Sequence, residues 1–422
     1  MGKTHSSMQR GHILGFEQPR RVAIVHDWLT ISGGAERVLD QMLQLFPDAD
    51  LFTVCDFLDE SKRSFLAGRR PRTTFIQNLP FAKKHYRSYL ALMPLAIEQL
   101  NLSKYDLVLS SSYAVAKGVL TSPDQLHVSY VHTPVRYAWH LQHQYLQEMG
   151  LSQGLKSWIV RWLLHNVRLW DMRTTAGVDV MVANSGYIAR QIYKIYGRES
   201  QVVYPPVDVD TLPFSASKDD FYLTASRLVP YKRIDLIVQA FTQMPHRQLV
   251  VIGEGPERAK IEAIARGHKN IEIRGYRSTP ELTSAMSRAR AFIFAAIEDF
   301  GITPVEAQAC GTPVIALGIG GACESVNGFS GQVQTGLFFH EQTVEALIEA
   351  VDRFEEEGDE IRPEDCRANA VRFSSENFRN NLSSVLQKAW AEHMQRKFDS
   401  LSNGSSLIAA ELRDDELPLY TN

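Results

Sequence analysis

Two glutamates and a glycine turn fall within the nine-residue stretch EDFGITPVE, from 298 to 306. The carboxylates of Glu298 and Glu306 suit the hydroxyl groups of a sugar, because an ionised carboxylate only accepts hydrogen bonds. Thr303 is predicted as the N-cap of a helix, with Pro304 first in the helix and Glu306 completing a capping box. Such a helix start directs free N–H groups and a positive dipole end at its surroundings, which favours phosphate. The alternative is that Glu306 only caps its helix and Glu298 is a solvated loop carboxylate.

The strands that must position this stretch alternate with helical segments along the chain. The run AFIFAA (291–296) directly before it is continuously apolar, as expected for a strand buried on both faces of a parallel sheet. This alternation predicts βαβ units, and parallel strands bring their carboxyl ends to one edge, where we expect the site. Further strands are predicted within 21–27, 106–111, 126–132, 178–185, 220–226, 249–257, 271–276 and 311–324.

His132 ends the strand predicted within 126–132. It is therefore expected at the carboxyl edge of the sheet, facing the same cleft as the stretch from 298 to 306. The alternative is a core histidine bonded to the backbone. Arg136 follows in the next loop and suits either an anionic group or a structural ion pair.

Two glycine pairs are candidates for loops that approach a ligand closely. Gly33 and Gly34 precede a predicted helix, and glycine allows a tight turn whether or not a ligand lies beside it. Neither this pair nor Gly253 with Gly255 forms the G-x-G-x-x-G pattern of a dinucleotide-binding turn, which weakens a nicotinamide interpretation. The second pair is predicted as a tight turn between a strand and a helix.

Several ordered motifs resemble the retaining nucleotide-sugar glycosyltransferases of family four, which have the GT-B fold. The resemblance covers about residues 21 to 395 and is strongest from Arg227 to Glu324. Its motifs are the two glutamates with Phe300 and Gly301 between them, the loop SRLVPYK from 226 to 232, and the segments ANS (183–185) and VVYPPVD (202–208). It implies an α/β protein with two Rossmann-like domains whose parallel sheets face each other across a cleft. A C-terminal helix would cross back to the first domain.

The resemblance also assigns roles to individual residues. Glu298 would contact the transferred sugar, Glu306 the nucleotide ribose, and both Arg227 and Lys232 the donor diphosphate. Fixed cations in a dry cleft stabilise the negative charge that develops on a leaving nucleoside diphosphate; the alternative is that both cations are only solvated at the surface. The expected catalytic residues are His132, Arg227, Lys232 and Glu298. The expected donor-binding residues are Gly33, Gly34, Gly255, Arg274, Phe300, Gly301, Ile302, Thr303 and Glu306.

No metal and no other cofactor is expected beside the nucleotide-sugar donor. Asp-x-Asp is absent near the donor loops, and the two cations would supply the charge stabilisation that a metal gives elsewhere. Retention is expected to proceed by front-face transfer, in which the departing phosphate oxygen accepts the proton of the acceptor hydroxyl. No two carboxylates are placed as a confident nucleophile and acid of the glycosidase kind.

The length of 422 residues suits two domains rather than one core. We predict a disordered lead-in at 1–20, an acceptor-side domain at 21–206 and a nucleotide-sugar-binding domain at 207–374. A crossover helix at 375–397 and a flexible tail at 398–422 would complete the chain.

Composition points to a cytosolic protein. The chain is 44% hydrophobic and 22% charged with a net charge of −3, which is typical of globular proteins and argues against a nucleic-acid binder. No apolar segment of signal-peptide length precedes the first strand. The cysteines Cys55, Cys310, Cys323 and Cys366 have no CxxC spacing, which predicts free thiols.

The first half, especially HDWLTISGGAERVL and YVHTPVRYAW, resembles bacterial mannosyltransferases of surface-polysaccharide assembly. These use GDP-mannose and a polyprenyl-diphosphate-linked acceptor. UDP-sugar donors remain open, because the base is read by backbone and loop shape. A nucleotide-sugar 2-epimerase of the same fold and a non-catalytic sugar-binding protein are the other candidates.

A basic region predicts peripheral docking on the inner face of the cell membrane. Between 62 and 97 there are eight Lys or Arg residues and no Asp or Glu. Within it, Lys83, Lys84 and Arg87 lie among aromatic residues, as in segments that rest in the headgroup region. The alternative is a solvated basic face over a core helix. A second segment, with Trp158, Trp162 and Trp170, is predicted instead as a helix packed inside the domain, from its helical spacing.

Overall fold

The computed structural model of the protein describes residues 19–31, 33–328 and 333–414. Within these residues, seven strands form one wholly parallel sheet in the order β3-β2-β1-β4-β5-β6-β7. The strands are β1 Val22–His26, β2 Asp50–Thr53, β3 Arg72–Thr73, β4 Leu107–Ser112, β5 Leu126–Val131, β6 Val180–Ala183 and β7 Gln201–Val202.

A second parallel sheet of six described strands follows in the order β10-β9-β8-β11-β12-β13. These strands are β8 Tyr222–Ala225, β9 Leu249–Ile252, β10 Ile271–Gly275, β11 Ala291–Phe294, β12 Val314–Leu317 and β13 Gly336–Phe339. In both sheets the strand order reverses beside the first strand of the unit, and α/β proteins bind ligands at the carboxyl ends of strands beside such a reversal.

Helices connect the strands, as the alternating pattern predicts. In the first half they are α1 Gly34–Leu45, α2 Ala82–His85, α3 Met93–Glu98, α4 Gln142–Glu148, α5 Leu155–Thr174 and α6 Gly186–Tyr196. In the second half they are α7 Ile234–Thr242, α8 Arg258–Ala265, α9 Thr279–Arg288, α10 Ile302–Ala309, α11 Ala322–Ser325, α12 Val344–Glu357, α13 Pro363–Val371 and α14 Ser375–Asp414. Short 3₁₀ turns include Tyr86–Leu92 and Pro230–Lys232.

Each sheet is covered by helices on both faces. Successive side chains of a strand point to opposite sides, so each strand contributes to two cores. In β1, Ile24 joins the core that includes α1 and α14, whereas Ala23 and Val25 join the core that includes α3. The second sheet is covered in the same way by α7, α8 and α12 on one face and by α9 and α10 on the other. The continuous apolar runs of the sequence are therefore the central strands.

The long helix α14 returns to the first sheet after the second sheet is complete. Phe378, Leu382 and Trp390 are buried in the same core as Ile24 and Tyr130. The predicted crossover helix is thus present, but it continues past the expected end at 397 to Asp414. The predicted flexible tail is therefore wrong up to Asp414: the helix continues through the Ser-Asn-Gly-Ser-Ser run at 402–406, whose low helix propensity had indicated a tail. Residues 415–422 lie outside the described residues, as does the predicted lead-in up to residue 18.

Two local predictions for helix α10 are wrong. The helix begins at Ile302 with Gly301 as its N-cap, and no side chain caps it. Thr303 is therefore its second residue, and Glu306 lies too far into the helix to close a capping box. The glycine at φ 85° ends the preceding loop, which lets the helix start earlier than the Thr-Pro signal indicates.

The prediction that the tryptophan-rich helix packs inside the domain is also wrong for most of its length. In α5 the side chains of Trp158 and Trp162 are 75 and 63% exposed. Leu164 and Val167 occupy the buried side of the helix instead. Trp170 is partly buried against the core around α3.

Candidate functional site

Lys232 and Glu298 meet at the carboxyl edge of the second sheet. Lys232 lies in the loop after β8 and Glu298 in the loop after β11, and Nζ of the lysine pairs with Oε1 of the glutamate. Their side chains are only 15 and 19% exposed. Burial lowers the pKa of Lys232 to about 8, because desolvation disfavours the charged form. A cation and a hydrogen-bond acceptor thus stand side by side, as a sugar phosphate requires.

Arg227 occupies the start of the same loop. Its carbonyl oxygen accepts hydrogen bonds from Ser226 Oγ at 3.2 Å and from the N–H of Val229 at 2.9 Å, which fixes the backbone. Its side chain is exposed. The guanidinium is therefore accessible to an anion at the edge where Lys232 lies.

Glu306 points from α10 towards the first sheet. Its Oε1 atom accepts a hydrogen bond at 2.7 Å from the guanidinium of Arg37, which belongs to α1. Arg37 lies next to the glycine loop in sequence, but its role was not identified from the sequence, because only the fold brings it opposite α10. The carboxylate expected to bind ribose is thus paired with a cation of the other half.

A second ion pair crosses the cleft beside Lys232. Arg136 Nη2 and Asp299 Oδ2 are 2.5 Å apart, which realises the ion-pair alternative for Arg136. Burial raises the pKa of Asp299, while the charges of Arg136 and Lys232 oppose that rise. Asp299 directly follows Glu298, yet sequence reasoning gave it no role.

The start of α6 is held by the second half of the chain. Glu324 accepts hydrogen bonds from the N–H groups of Gly186 and Tyr187 at 2.6 and 2.8 Å. Ser185 Oγ donates to the carbonyl oxygen of Asp299 at 2.5 Å. These contacts place a carboxylate at a helix N-terminus, where the dipole favours it. The signal in the sequence was the ANS segment, whose serine caps α6.

His132 lies at the carboxyl end of β5, at the edge where it was expected. Its Nε2 atom is 2.8 Å from Ser111 Oγ, and its carbonyl oxygen accepts from Asn184 Nδ2 at 2.9 Å. Burial lowers the pKa of His132 to about 3, so its imidazole is neutral at any physiological pH. It can therefore exchange hydrogen bonds with hydroxyl groups but carries no charge.

Sequence reasoning missed His26 and Ser111, which lie behind His132. Ser111 Oγ also lies 3.1 Å from Nδ1 of His26, and Nε2 of His26 is 3.6 Å from Glu36 Oε1. These side chains are buried. They form a polar row from β1, β4 and α1 to the cleft. No motif announces such a row, because its members are far apart in the chain.

The glycine pair lies where the two halves touch. A Cβ atom on Gly34 would come within 2.8 Å of Ile302 Cδ1, so a larger residue would force the end of the Ile302 side chain to shift. Gly33 is the N-cap of α1, and its N–H donates to Glu36 Oε2 at 2.9 Å. Gly34 and Ile302, both predicted to bind the donor, therefore lie where the two halves approach each other closely.

Gly255 and Arg274 lie farther along the same edge. A Cβ atom on Gly255 would collide with the backbone of Leu228 at 2.2 Å, so this glycine is needed to pack the two loops together. Arg274, on the edge strand β10, pairs with Glu272 at 2.7 Å and lines a pocket of about 220 Å³ together with Glu281 and Arg288.

Phe300 reaches the site through its backbone only. Its ring is buried against Tyr204 and Phe373. Gly301 follows it and opens α10, and the side chain of Thr303 is half-buried in the first turn. The predicted residues from 298 to 306 are thus together at one place, but for different structural reasons.

Two further properties concern metals and membranes. Over residues 19–31, 33–328 and 333–414, no group of three His, Cys, Asp or Glu side chains is arranged to hold a metal ion. No helix in this part of the chain is both long and apolar enough to cross a bilayer.

Comparison with protein families gives two matches in succession. Residues 32–211 match the family described as Glycosyltransferase Family 4, and residues 213–373 match Glycosyl transferases group 1. The two matches meet between β7 and β8, in the connection between the two sheets.

Curated relatives match over part of their length. The chain is 29% identical over 204 residues to a GDP-mannose-dependent monoacylated alpha-(1-6)-phosphatidylinositol monomannoside mannosyltransferase of Corynebacterium glutamicum, covering 42% of this chain and 53% of that protein. It is 28% identical over 185 residues to D-inositol 3-phosphate glycosyltransferase of Mycobacterium tuberculosis, covering 37% and 38%. The matches thus span about half or less of these relatives.

Solved structures share the fold over nearly the whole chain. HepE of Anabaena in complex with UDP-glucose has a TM-score of 0.63 at 18% identity and covers 87% of this chain and 99% of its own. Sucrose-phosphate synthase of Thermosynechococcus elongatus has a TM-score of 0.66 at 15% identity, covering 88% and 100%. The chain has two parallel sheets, matches two glycosyltransferase families in succession and shares its architecture with these structures. It therefore belongs to the GT-B glycosyltransferases and has a family 4-type first domain and a group 1 second domain.

Proposed function

We propose that the protein transfers mannose from GDP-mannose to a polyprenyl-diphosphate-linked saccharide, with retention of configuration, at the inner face of the cell membrane. The observation that carries this proposal is the meeting of Lys232, Glu298 and Glu306 at one sheet edge, opposite polar groups of the first sheet. A relative whose name states GDP-mannose dependence supports the choice of donor.

Each group has a defined task in the proposed reaction. Lys232 and Arg227 bind the diphosphate and stabilise the charge that it gains as the glycosidic bond breaks. Glu298 orients the transferred sugar, and Glu306 exchanges Arg37 for the ribose hydroxyls. His132, being neutral, binds a sugar hydroxyl. The leaving phosphate oxygen accepts the proton of the acceptor hydroxyl, so the protein supplies positioning and charge rather than a base.

A donor panel tests the proposal. We expect calorimetric binding of GDP and GDP-mannose to be tighter than binding of UDP and UDP-glucose. Turnover should then require a lipid extract that contains the acceptor. Preference for UDP-sugars would overturn the donor assignment. Conversion of the donor sugar without any acceptor would favour a 2-epimerase.

A further inference from the structure

One face of α5 carries large apolar side chains that nothing in the described chain covers. Leu155, Trp158, Ile159 and Trp162 recur at helical spacing and all are exposed, Leu155 to 78%. We name these four residues the tryptophan face. A contiguous apolar surface of this kind on a globular protein marks an interaction site.

The charged residues of α5 that lie within or near the tryptophan face in sequence are all positive. From 149 to 170 the sequence holds Lys156, Arg161 and Arg168 and no Asp or Glu. Arg161 Nε donates to Ser157 Oγ at 3.1 Å, and Lys156 is exposed. A protein partner would have to match tryptophans and cations together, whereas an anionic lipid surface accepts both.

A second exposed set lies just before and within the 3₁₀ turn Tyr86–Leu92, which contacts α5. Phe81 is 80% exposed and has a backbone φ of 56°, a conformation that side-chain-bearing residues rarely adopt. The cations Lys83, Lys84 and Arg87 follow it and are exposed. Within the described residues, none of these three pairs with a carboxylate, so their charge remains available.

The two sets are fixed relative to each other. Trp170 of α5 donates from Nε1 to Glu98 Oε1 of α3 at 2.8 Å, and its ring packs on the core that contains Tyr86 and Met93. The segment with Phe81 leads into that core. The tryptophan face and the basic segment are thus parts of one rigid unit.

We propose that this unit docks on anionic phospholipid, with the tryptophan face inserted at the level of the headgroups and Lys83, Lys84 and Arg87 bound to lipid phosphates. The tryptophan face, which the sequence assigned to the interior, is the main inserting element. Tryptophan suits this level because its ring is apolar and its N–H is polar.

The position of α5 connects the surface to the cleft, and this step rests on the proposed function. Arg168 Nη1 donates to the carbonyl oxygen of Ala138 at 2.7 Å, and Trp139 Nε1 donates to Asp171 at 2.7 Å. The loop that α5 holds in this way begins at His132. A lipid-borne acceptor would therefore reach the cleft from the side of the first half that faces the membrane.

Vesicle flotation of the full chain tests the proposal. We expect binding to phosphatidylglycerol vesicles, weaker binding to phosphatidylcholine vesicles, and loss of binding in high salt because salt screens the lysines. The double variant Trp158→Ser/Trp162→Ser should need at least about tenfold more lipid for half-binding. Tyr193→Ser is the matched control, since Tyr193 is an aromatic residue of the same half with 60% exposure.

Spectroscopy locates the inserted residues. Brominated lipids should quench tryptophan fluorescence strongly in the wild-type protein and much less in the double variant, because the four remaining tryptophans are buried (Trp28 and Trp390) or half-buried (Trp139 and Trp170). Leu155→Glu/Ile159→Glu is a second variant that keeps both tryptophans, and it should also lose binding. A wild-type protein that stays with the soluble fraction, or variants that float like wild type, would overturn the proposal.

The same samples separate this proposal from the proposed function. GDP binding by calorimetry should be equal in wild type and both α5 variants. Flotation without GDP binding would overturn the donor assignment and support the lipid surface. A dimer that forms through α5 in light scattering, in place of vesicle binding, would show that a second copy occupies the face and would overturn lipid docking.

Discussion

Lys232 is held as a cation in surroundings that disfavour charge. It lies over the rings of Tyr231 and Phe294, 5.7 and 6.0 Å from their centroids, and pairs with Glu298. An incoming diphosphate would offer more negative charge than one carboxylate. Binding strength and catalysis should therefore both depend on this one residue.

Replacing either cation of the loop should slow transfer sharply. We expect Lys232→Ala and Arg227→Ala each to lower kcat about a hundredfold or more, because both act on charge that develops in the transition state. Lys269→Ala removes an exposed cation just before β10, at the opposite edge of the sheet, and should leave the rate unchanged. A near-native rate for Lys232→Ala at an unchanged melting temperature would contradict the diphosphate role.

The affinity for GDP should depend on pH through Lys232. Its pKa in the free protein is lowered to about 8, so below this pH the lysine is already charged and affinity should be constant. Above it, binding must take up a proton, and affinity should fall by up to about tenfold per pH unit. Titrations between pH 7 and 9.5 in buffers of different ionisation enthalpy measure this proton uptake.

Lys232→Arg is the matched control for that titration. Its guanidinium stays charged over the whole range, so the variant should lose the proton uptake even if its affinity is lower. Equal pH dependence in the variant and the wild type would assign the proton to another group.

Glu306 and Arg37 can be separated by opposite mutations. If Glu306 binds ribose, Glu306→Ala should weaken GDP binding about tenfold or more, since the bound ribose hydroxyls lose a charged hydrogen-bond acceptor. Arg37→Ala removes only the competitor and should leave affinity equal or higher. Equal weakening in both variants would mean that the ion pair closes the cleft and that neither residue contacts the nucleotide. Glu298→Ala should chiefly slow transfer.

At the scale of elements, the sequence is most informative where a strand is central. The runs at 21–27, 126–132 and 291–296 are buried on both faces, so their composition alone identifies them. The strands β2, β3, β7 and β13 were not predicted, since β3 and β7 have two residues each and β2 carries Asp50 at its start. Short edge strands depend on neighbours that the sequence does not place.

Helix positions show a different limit. The apolar spacing in α5 correctly indicates a helix, but it cannot say which of two apolar sides meets the core. Leu164 and Val167 pack inward and Trp158 points outward. The site shows the same limit of the sequence. Glu298, Lys232 and His132 were found from motifs. Arg37, Asp299 and Ser111 were not, because contacts between distant segments bring them to the site.

At the scale of the whole molecule, the two halves share polar and apolar contacts. Arg37 with Glu306, Arg136 with Asp299, and Glu324 with the start of α6 all cross the cleft. Helix α14 also brings the chain back to the first half, where Phe378 packs edge-on against Tyr130 with 5.8 Å between the ring centroids. The stability of the first half therefore depends on residues that follow the second.

Truncating one side chain of α14 tests this dependence. Leu382→Ala should destabilise the protein by about 2–5 kcal/mol, because the buried leucine fills a core that cannot fully collapse. Gln387→Ala changes an exposed residue of the same helix and should cost little. Urea unfolding measures both, and a Leu382→Ala midpoint equal to that of the control would contradict the packing of α14 on the first sheet.

The return of α14 also sets an order for synthesis. A ribosome completes the seven strands of the first sheet long before it makes the helix that covers one side of them, and it builds the entire second sheet in between. During that interval the sites of Phe378 and Leu382 beside Ile24 stand open to solvent. A chain whose synthesis stops before residue 375 keeps an uncovered apolar surface, which chaperones and proteases recognise. The last helix thus covers the apolar surface of the first sheet only after the rest of the described chain has been made.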